Sequence, residues 1–222
     1  VLVMTATPIP RTLALILYGD LDISIIDELP PNRKKIDTFA VTKGMEERVN
    51  NFIKKQVDEG RQAYIVCPLV EENEEMNLKS VTALAEKYKN EVFKDYRVEY
   101  LHGKMKNKEK DEIMERFKNG DIDILISTTV IEVGVNVPNA SLMVVENAER
   151  FGLAQLHQLR GRVGRGEYQS YCILKYQGNS DVIRKRMKVM TDTNDGFIIS
   201  EKDLELRGSR SEERRVGKEC QR

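Results

Sequence analysis

An arginine- and glycine-rich stretch is the part of this 222-residue sequence best suited to chemistry. It spans residues 155–166 and interleaves three arginines with three glycines. Guanidinium groups suit an anion with several oxygens, such as a triphosphate. Arg162 and Arg165 are three residues apart and would share one face if the segment is helical. Each glycine within a helix costs about 1 kcal/mol relative to alanine, so we expect close backbone approach to a neighbouring lobe or a phosphate to offset it.

A second stretch, residues 127–138, directly follows an apolar run. Hydroxyl groups and free backbone N–H groups at the end of a strand can hold a phosphate without reading a base, and Thr128 and Thr129 are the candidates. Two threonines after a strand, taken alone, indicate a turn or a helix cap. The arginine-rich stretch, taken alone, could be a solvated basic turn. The presence of both in one chain favours a site for phosphate groups.

The elements that must position these residues alternate along the chain. Six apolar runs of strand length are separated by segments with helical spacing, in which Val49, Ile53 and Val57, then Leu84 and Tyr88, recur at helical intervals. This alternation predicts an α/β fold, with a mostly parallel sheet and helices on both faces. Such sheets bind ligands at the carboxyl ends of their strands, so we expect function in those loops. The predicted strands are residues 38–42, 63–67, 98–101, 122–127, 142–146 and 171–176.

The remaining helical patterns also predict apolar stripes that face a core. They comprise Met45 and Phe52, Leu78, Val81 and Ala85, Ile113, Met114 and Phe117, and Val182, Ile183, Met187 and Met190.

Composition limits the classes of function. Lysine plus arginine and aspartate plus glutamate each number 36, so no overall basic field marks a nucleic-acid-binding protein, and phosphate contacts must come from a local patch. No apolar run reaches the ~20 residues that cross a bilayer, and we expect a cytoplasmic protein. Cys67, Cys172 and Cys220 lack metal-ligand spacing. The first two lie in apolar runs, which predicts packed, reduced thiols and neither a zinc site nor a disulfide framework.

Three motifs occur in the order found in superfamily 2 helicases. Thr5-Ala6-Thr7 resembles motif III, residues 128–138 resemble motif V, and residues 158–165 resemble motif VI. The match is closer to the RecG family, bacterial ATP-dependent DNA helicases that remodel branched DNA. The transcription-repair coupling factor shares part of the pattern, whereas residues 18–22 and 27–31 resemble RecG. The segments that carry the RecG resemblance are residues 4–15, 18–22, 27–31, 67–72 and 101–105.

The resemblance implies a motor of two RecA-like lobes that binds ATP with Mg²⁺ in the cleft between them. It implies that Arg165 is the arginine finger, that Arg162 lies beside it and that Gln158 orders the site. Gly134 and Asn136 are expected to border the nucleotide, and Asn136 stands where many relatives carry aspartate. The sequence has no G-x-x-x-x-G-K-[ST] loop and no Asp-Glu pair of the helicase type. The magnesium ligands are therefore expected in a missing first lobe, and this chain is expected to be inactive alone.

The same resemblance implies DNA contacts that are insensitive to sequence, because they go to the backbone. They are expected from Thr128 and Thr129 and from His102, Gly103 and Lys104. Thr5 and Thr7 are expected to couple nucleotide state to lobe movement, and His157 to be a packing residue. The expected partners are branched or forked DNA and the parent's missing wedge domain and first lobe; no membrane is expected.

The expected organisation has five parts. Residues 1–26 end the first lobe, 27–37 form a linker, 38–178 form the second RecA-like lobe and 179–209 begin a RecG-type translocation element. Residues 210–222 are expected to be a non-native tail, since 210–220 match a translation of a common sequencing-adapter oligonucleotide. Two alternatives to a RecG motor lobe are the corresponding lobe of the coupling factor and a non-hydrolysing lobe that only binds nucleic acid or a partner.

Overall fold

The computed structural model describes residues 24, 26, 34–68, 82–128 and 137–206. Nearly all of the expected end of a first lobe, most of the expected linker and the expected tail lie outside these residues. The expected division into five parts stays a prediction.

A parallel sheet of six strands organises the described residues, and its strand order is β1-β6-β5-β2-β4-β3. All five pairings are parallel. The sequence prediction of six strands in a mostly parallel α/β sheet is confirmed, with strand ends displaced by one or two residues. The strands are β1 (Asp37–Thr42), β2 (Gln62–Cys67), β3 (Val98–Leu101), β4 (Ile124–Thr128), β5 (Ala140–Val145) and β6 (Tyr171–Tyr176).

The position of each strand in the sheet explains its composition. Strands β2, β4 and β5 are interior strands and are buried at every residue. Parallel strands that are covered on both faces need continuous apolar runs rather than an alternating pattern. Strand β1 lies at one edge of the sheet, and there Phe39 is 50% exposed.

Four helices have bounds that lie wholly within the described residues: α1 (Glu46–Asp58), α2 (Asn107–Lys118), α3 (Leu153–Arg160) and α4 (Asp181–Asp192). Residues 82–87 are also helical and continue into a π-helical turn at Tyr88–Val92. Residues 196–206 are helical after α4, in agreement with the expected C-terminal extension.

The helices cover both faces of the sheet. One core contains Val49, Ile53 and Val57 of α1 together with Tyr88 and Phe93. The other contains Phe117 of α2, residues from α3, and Met187 and Met190 of α4. Full burial of an aliphatic or aromatic side chain contributes about 1.5–3 kcal/mol, so these two layers fix the sheet that positions the loops.

The predicted apolar stripes need one correction. Val182 is 38% exposed, although the sequence pattern places it in the core with Ile183, Met187 and Met190. Ile183, Met187 and Met190 recur at intervals of four and three residues and share one face, while Val182 is rotated away by about a quarter turn. Leu78 and Val81 lie outside the described residues.

The two described cysteines are packed thiols, as predicted. Cys67 and Cys172 are both buried and free. Burial raises the pKa of each thiol to about 12, so neither is a reactive thiolate at neutral pH. Cys220 lies outside the described residues. Among the helices of the described residues, none is long and apolar enough to span a membrane.

Candidate functional site

The chain connection around α3 carries the arginines to the amino-terminal ends of the strands, here called the amino edge. Strand β5 ends at Val145 at the opposite edge, the carboxyl edge, and the parallel strand β6 begins at Tyr171. Helix α3 therefore runs back across the sheet. The segment from Gly161 to Ser170 connects the end of α3 to β6 and is here called the arginine loop. The backbone of Ser170 accepts a 3.1 Å hydrogen bond from the amide of Asp37 at the start of β1.

The arginines therefore do not lie in the carboxyl-end loops, where the sequence led us to expect function. That rule concerns ligands held by the loops that leave the strands. Arg162 and Arg165 instead follow the crossover helix, which ends at the other edge of the sheet.

The arginine loop is not helical, so Arg162 and Arg165 do not share a helix face. Helix α3 ends at Arg160, and Gly161 is its C-terminal cap. Gly164 has a φ of +78°, a left-handed conformation that glycine adopts without steric cost. A Cβ atom on Gly166 would overlap the carbonyl oxygen of Pro138. The close backbone approach expected from the sequence is therefore observed. It occurs within the chain, between Gly166 and Pro138, and not with a neighbouring lobe or a phosphate.

The loop places two positive charges at the amino edge. Arg165 is exposed, and its Nε atom donates to the carbonyl oxygen of Gly161 at 3.4 Å. Burial raises the pKa of Tyr64 to about 12, while Arg162 and Arg165 act to lower it, so both charges lie near β2. Within the described part of the chain, neither arginine has a carboxylate at salt-bridge distance. A pair of cations that form no salt bridge favours an anionic ligand.

Gln158 and His157 occupy the last turn of α3. Gln158 is exposed there, and its role in ordering a nucleotide site stays a prediction. His157 is partly buried, and its Nδ1 atom lies 3.2 Å from Nη2 of Arg160. This contact supports the interpretation of His157 as a packing residue.

Arg160 has a structural role that the sequence analysis did not predict. Its side chain is buried, and Nη1 donates to the carbonyl oxygens of Met190 and Thr193, both at 2.8 Å, and to Oγ1 of Thr38 at 3.3 Å. Burial lowers the pKa of its guanidinium. A cation at the C-terminal end of α4 interacts favourably with the free carbonyls of that helix. Arg160 thus joins α3 to β1 and to the end of α4.

The burial of Arg160 could have been predicted from its spacing. Arg160 follows the buried residues Leu153 and Leu156 by seven and four positions and so lies on the buried face of α3.

Replacing Arg160 by methionine should lower the free energy of unfolding by about 1–3 kcal/mol, because the carbonyls of Met190 and Thr193 would lose a buried donor. Urea denaturation of the purified chain measures this difference. Arg184→Met on the exposed side of α4 is the matched control, and we expect it to change the free energy by less than about 0.5 kcal/mol. Equal stability of the two variants would show that the Arg160 contacts contribute nothing net.

The predicted DNA contacts that fall in the described residues lie at the carboxyl edge. His102, Gly103 and Lys104 directly follow β3, and Thr128 ends β4. These strands are paired neighbours, with Leu101 opposite Ser127. The fold therefore brings the loop and Thr128 to one part of the edge.

Their local environments differ. The carbonyl oxygen of Gly103 accepts a 2.9 Å hydrogen bond from Nζ of Lys110, which braces the loop on α2. The His102 ring stacks on Tyr100, and burial, with Lys110 nearby, lowers its pKa. Both effects favour the neutral form of the ring. Thr128 is only 2% exposed, and its hydroxyl has no hydrogen-bond partner among the described residues. Its role as a DNA contact stays a prediction.

The described candidates thus fall on two edges, the arginines at one and the predicted DNA contacts at the other. A strand of five residues separates such edges by about 16 Å. Thr5, Thr7, Thr129, Gly134 and Asn136 lie outside the described residues, so their predicted roles stay predictions. No group of three or more histidine, cysteine, aspartate or glutamate side chains in the described ranges could hold a metal ion.

The sequence matches the helicase conserved C-terminal domain family over residues 44–167. The chain is 51% identical over 208 residues to the ATP-dependent DNA helicase RecG of Bacillus subtilis and 49% identical over 207 residues to that of Thermotoga maritima. These alignments cover 94% and 93% of the chain, but only 30% and 26% of the two relatives. The chain therefore spans less than a third of the length of these relatives. They favour the RecG interpretation over the coupling factor.

Solved structures agree with this assignment. A RecG structure bound to a three-way DNA junction matches 90% of the chain with a TM-score of 0.77 and 47% identity, and the match covers 26% of that RecG chain. Domain 2 of the DEAD-box helicase Mss116p, bound to an RNA duplex, matches 72% of the chain and 62% of its own length with a TM-score of 0.55. Its 20% identity supports the RecA-like fold alone. The chain therefore belongs to the family of helicase conserved C-terminal domains, and its resemblance to RecG is confirmed.

Proposed function

We propose that this chain is the second motor lobe of a bacterial, cytoplasmic ATP-dependent DNA helicase that remodels branched or forked DNA in recombination and repair. The parent protein would supply the first lobe, with the phosphate loop and the magnesium ligands, and a wedge domain. Arg165 would act as the arginine finger on the γ-phosphate, with Arg162 beside it and Gln158 ordering the site. Gly134 and Asn136 would border the nucleotide.

One observation carries the proposal: among the described residues, neither of the two arginines that the arginine loop holds at one edge of a RecA-like sheet forms a salt bridge. The backbone of Gly166 lies close against Pro138, which restricts the movement of the loop that carries both arginines. Fixed cations stabilise the charge that develops on a transferring phosphoryl group. These residues fit a triphosphate, whereas the described residues offer no group that fits the metal ion.

The separation of the two edges supports a motor. In a motor, ATP binding changes the affinity for DNA, which requires that different residues contact the two ligands. His102, Gly103, Lys104 and Thr128 at the carboxyl edge, with Thr129, would hold the DNA backbone, and Thr5 and Thr7 would link the lobes.

The test is ATP hydrolysis and unwinding of forked DNA by the parent protein, measured beside the isolated chain. We expect DNA-stimulated turnover from the parent and none from the chain, because the chain lacks the phosphate loop. A parent that binds forked DNA but neither hydrolyses ATP nor unwinds the fork would refute the motor and favour a binding module.

Replacing both Thr128 and Thr129 by alanine in the parent should weaken DNA binding by a similar factor on unrelated sequences, since phosphate contacts carry no base information. Loss of hydrogen bonds to charged phosphate groups should cost at least about 1.5 kcal/mol, or roughly tenfold or more in affinity. Fluorescence anisotropy with two forked substrates of different sequence measures it. Unaltered affinity would assign these residues to a turn and cap instead.

A further inference from the structure

Tyr168 is an exposed aromatic residue in the arginine loop, and it has no part in the function proposed above. Its ring is half exposed, at 51%. Cζ of Arg61 lies 4.8 Å from the ring centroid, so a guanidinium covers one face. The ring belongs to neither of the two cores. One face of Tyr168 is therefore backed by a cation, and about half of the residue remains exposed to solvent.

Arg61 is held in place as a support for this ring. Its Nη1 atom donates to Oε1 of Gln56 at 3.1 Å, and Nη2 lies 3.4 Å from a carboxylate oxygen of Glu59. Its side chain is only 19% exposed. Arg61 directly precedes β2, so the stacked pair lies at the amino edge of the sheet. The pair is thus a braced platform, in contrast to a lone tyrosine on a mobile surface.

The platform lies at the same edge as the cations of the arginine loop. Tyr168 is three residues after Arg165, a span of at most about 10 Å. Gly166, between them, is pressed against Pro138, which fixes the path of the connecting chain. Cations and an open aromatic face at one edge together match a ligand that has both an anionic part and a flat ring. A nucleotide has both.

We propose that the open face of Tyr168, backed by Arg61, stacks on the base of the nucleotide whose phosphates lie at Arg162 and Arg165. This inference rests on the proposed function, because it concerns the same ATP. An aromatic ring stacks on any base, since every base has a flat π-face. The platform therefore increases affinity for nucleoside triphosphates in general and does not select adenine. An aromatic ring stacked on a guanidinium keeps its orientation, which lowers the entropic cost of binding a base.

The experiment uses steady-state ATP hydrolysis by the parent protein. Tyr168→Ala should raise KM for ATP about tenfold and change kcat by less. Tyr168→Phe should restore the wild-type KM, because phenylalanine keeps the aromatic face. Phe39→Ala is the matched control, since Phe39 is exposed to the same degree and lies on the edge strand β1, outside the arginine loop. It should leave both constants unchanged.

Inorganic tripolyphosphate separates stacking from a general disturbance of the loop. It has the phosphates without the base, so its inhibition constant should be the same for wild type and Tyr168→Ala. An equal loss of affinity for tripolyphosphate and for ATP would overturn the stacking proposal, as would an unchanged KM for ATP. Weaker DNA binding with normal KM would also overturn it and assign the ring to nucleic acid. Arg165→Ala, measured in parallel, tests the proposed function by itself, because its effect on kcat does not depend on Tyr168.

Discussion

Replacing Arg165 by alanine in the parent protein is expected to lower the rate of ATP hydrolysis by about 10³- to 10⁵-fold, the range for arginine fingers. Arg165 is exposed in the arginine loop and has no carboxylate at salt-bridge distance in the described part of the chain, so its charge is available to a ligand. Arg165→Lys should cost nearly as much, because lysine keeps the charge and loses the forked, planar donor geometry.

Turnover at saturating ATP and forked DNA is the measurement. DNA affinity should survive both substitutions, because those predicted DNA contacts that the structure describes lie at the other edge of the sheet. Arg184→Ala, an exposed arginine on α4, is the control and should hydrolyse ATP at the wild-type rate. Near-normal hydrolysis by the lysine variant would mean that the finger is another residue, with Arg162 the first candidate.

Gly166→Ala should have the second largest effect, although it adds only one methyl group. The added Cβ would overlap the carbonyl oxygen of Pro138 and lie 3.1 Å from its carbonyl carbon. Both are backbone atoms, so the clash is relieved only if the arginine loop or the start of β5 moves. We expect a loss of about 1–3 kcal/mol in the free energy of unfolding. A displacement of about 1 Å at the arginines should lower ATP turnover roughly 100-fold.

Urea denaturation of the chain and ATP turnover of the parent measure the two effects separately. Gly44→Ala is the matched control, because a Cβ at Gly44 meets no atom within 4 Å. It should stay within about 0.5 kcal/mol of the wild type and keep full turnover. If Gly166→Ala behaved like Gly44→Ala, the contact with Pro138 would not position the loop.

The sequence by itself determined the layers of this protein. The runs at 63–67, 124–126 and 142–145 are continuously apolar because their strands are covered on both faces, and this is a property of local composition. Helical spacing identified α1 and α4, and the motif order identified the helicase family. The positive charge of residues 155–166 could also be inferred, because guanidinium chemistry does not depend on the fold.

Only the tertiary structure decided where these residues lie and what each arginine does. Arg160, Arg162 and Arg165 are chemically equal in the sequence, yet Arg160 is buried on the carbonyls of Met190 and Thr193, while Arg165 is exposed beyond the end of α3. Tyr168 meets Arg61 across 107 positions of sequence. Such differences arise from contacts between segments that are far apart in the chain, and local spacing carries no information about them. The edge that receives the loop is likewise set by the direction in which β6 pairs with β5.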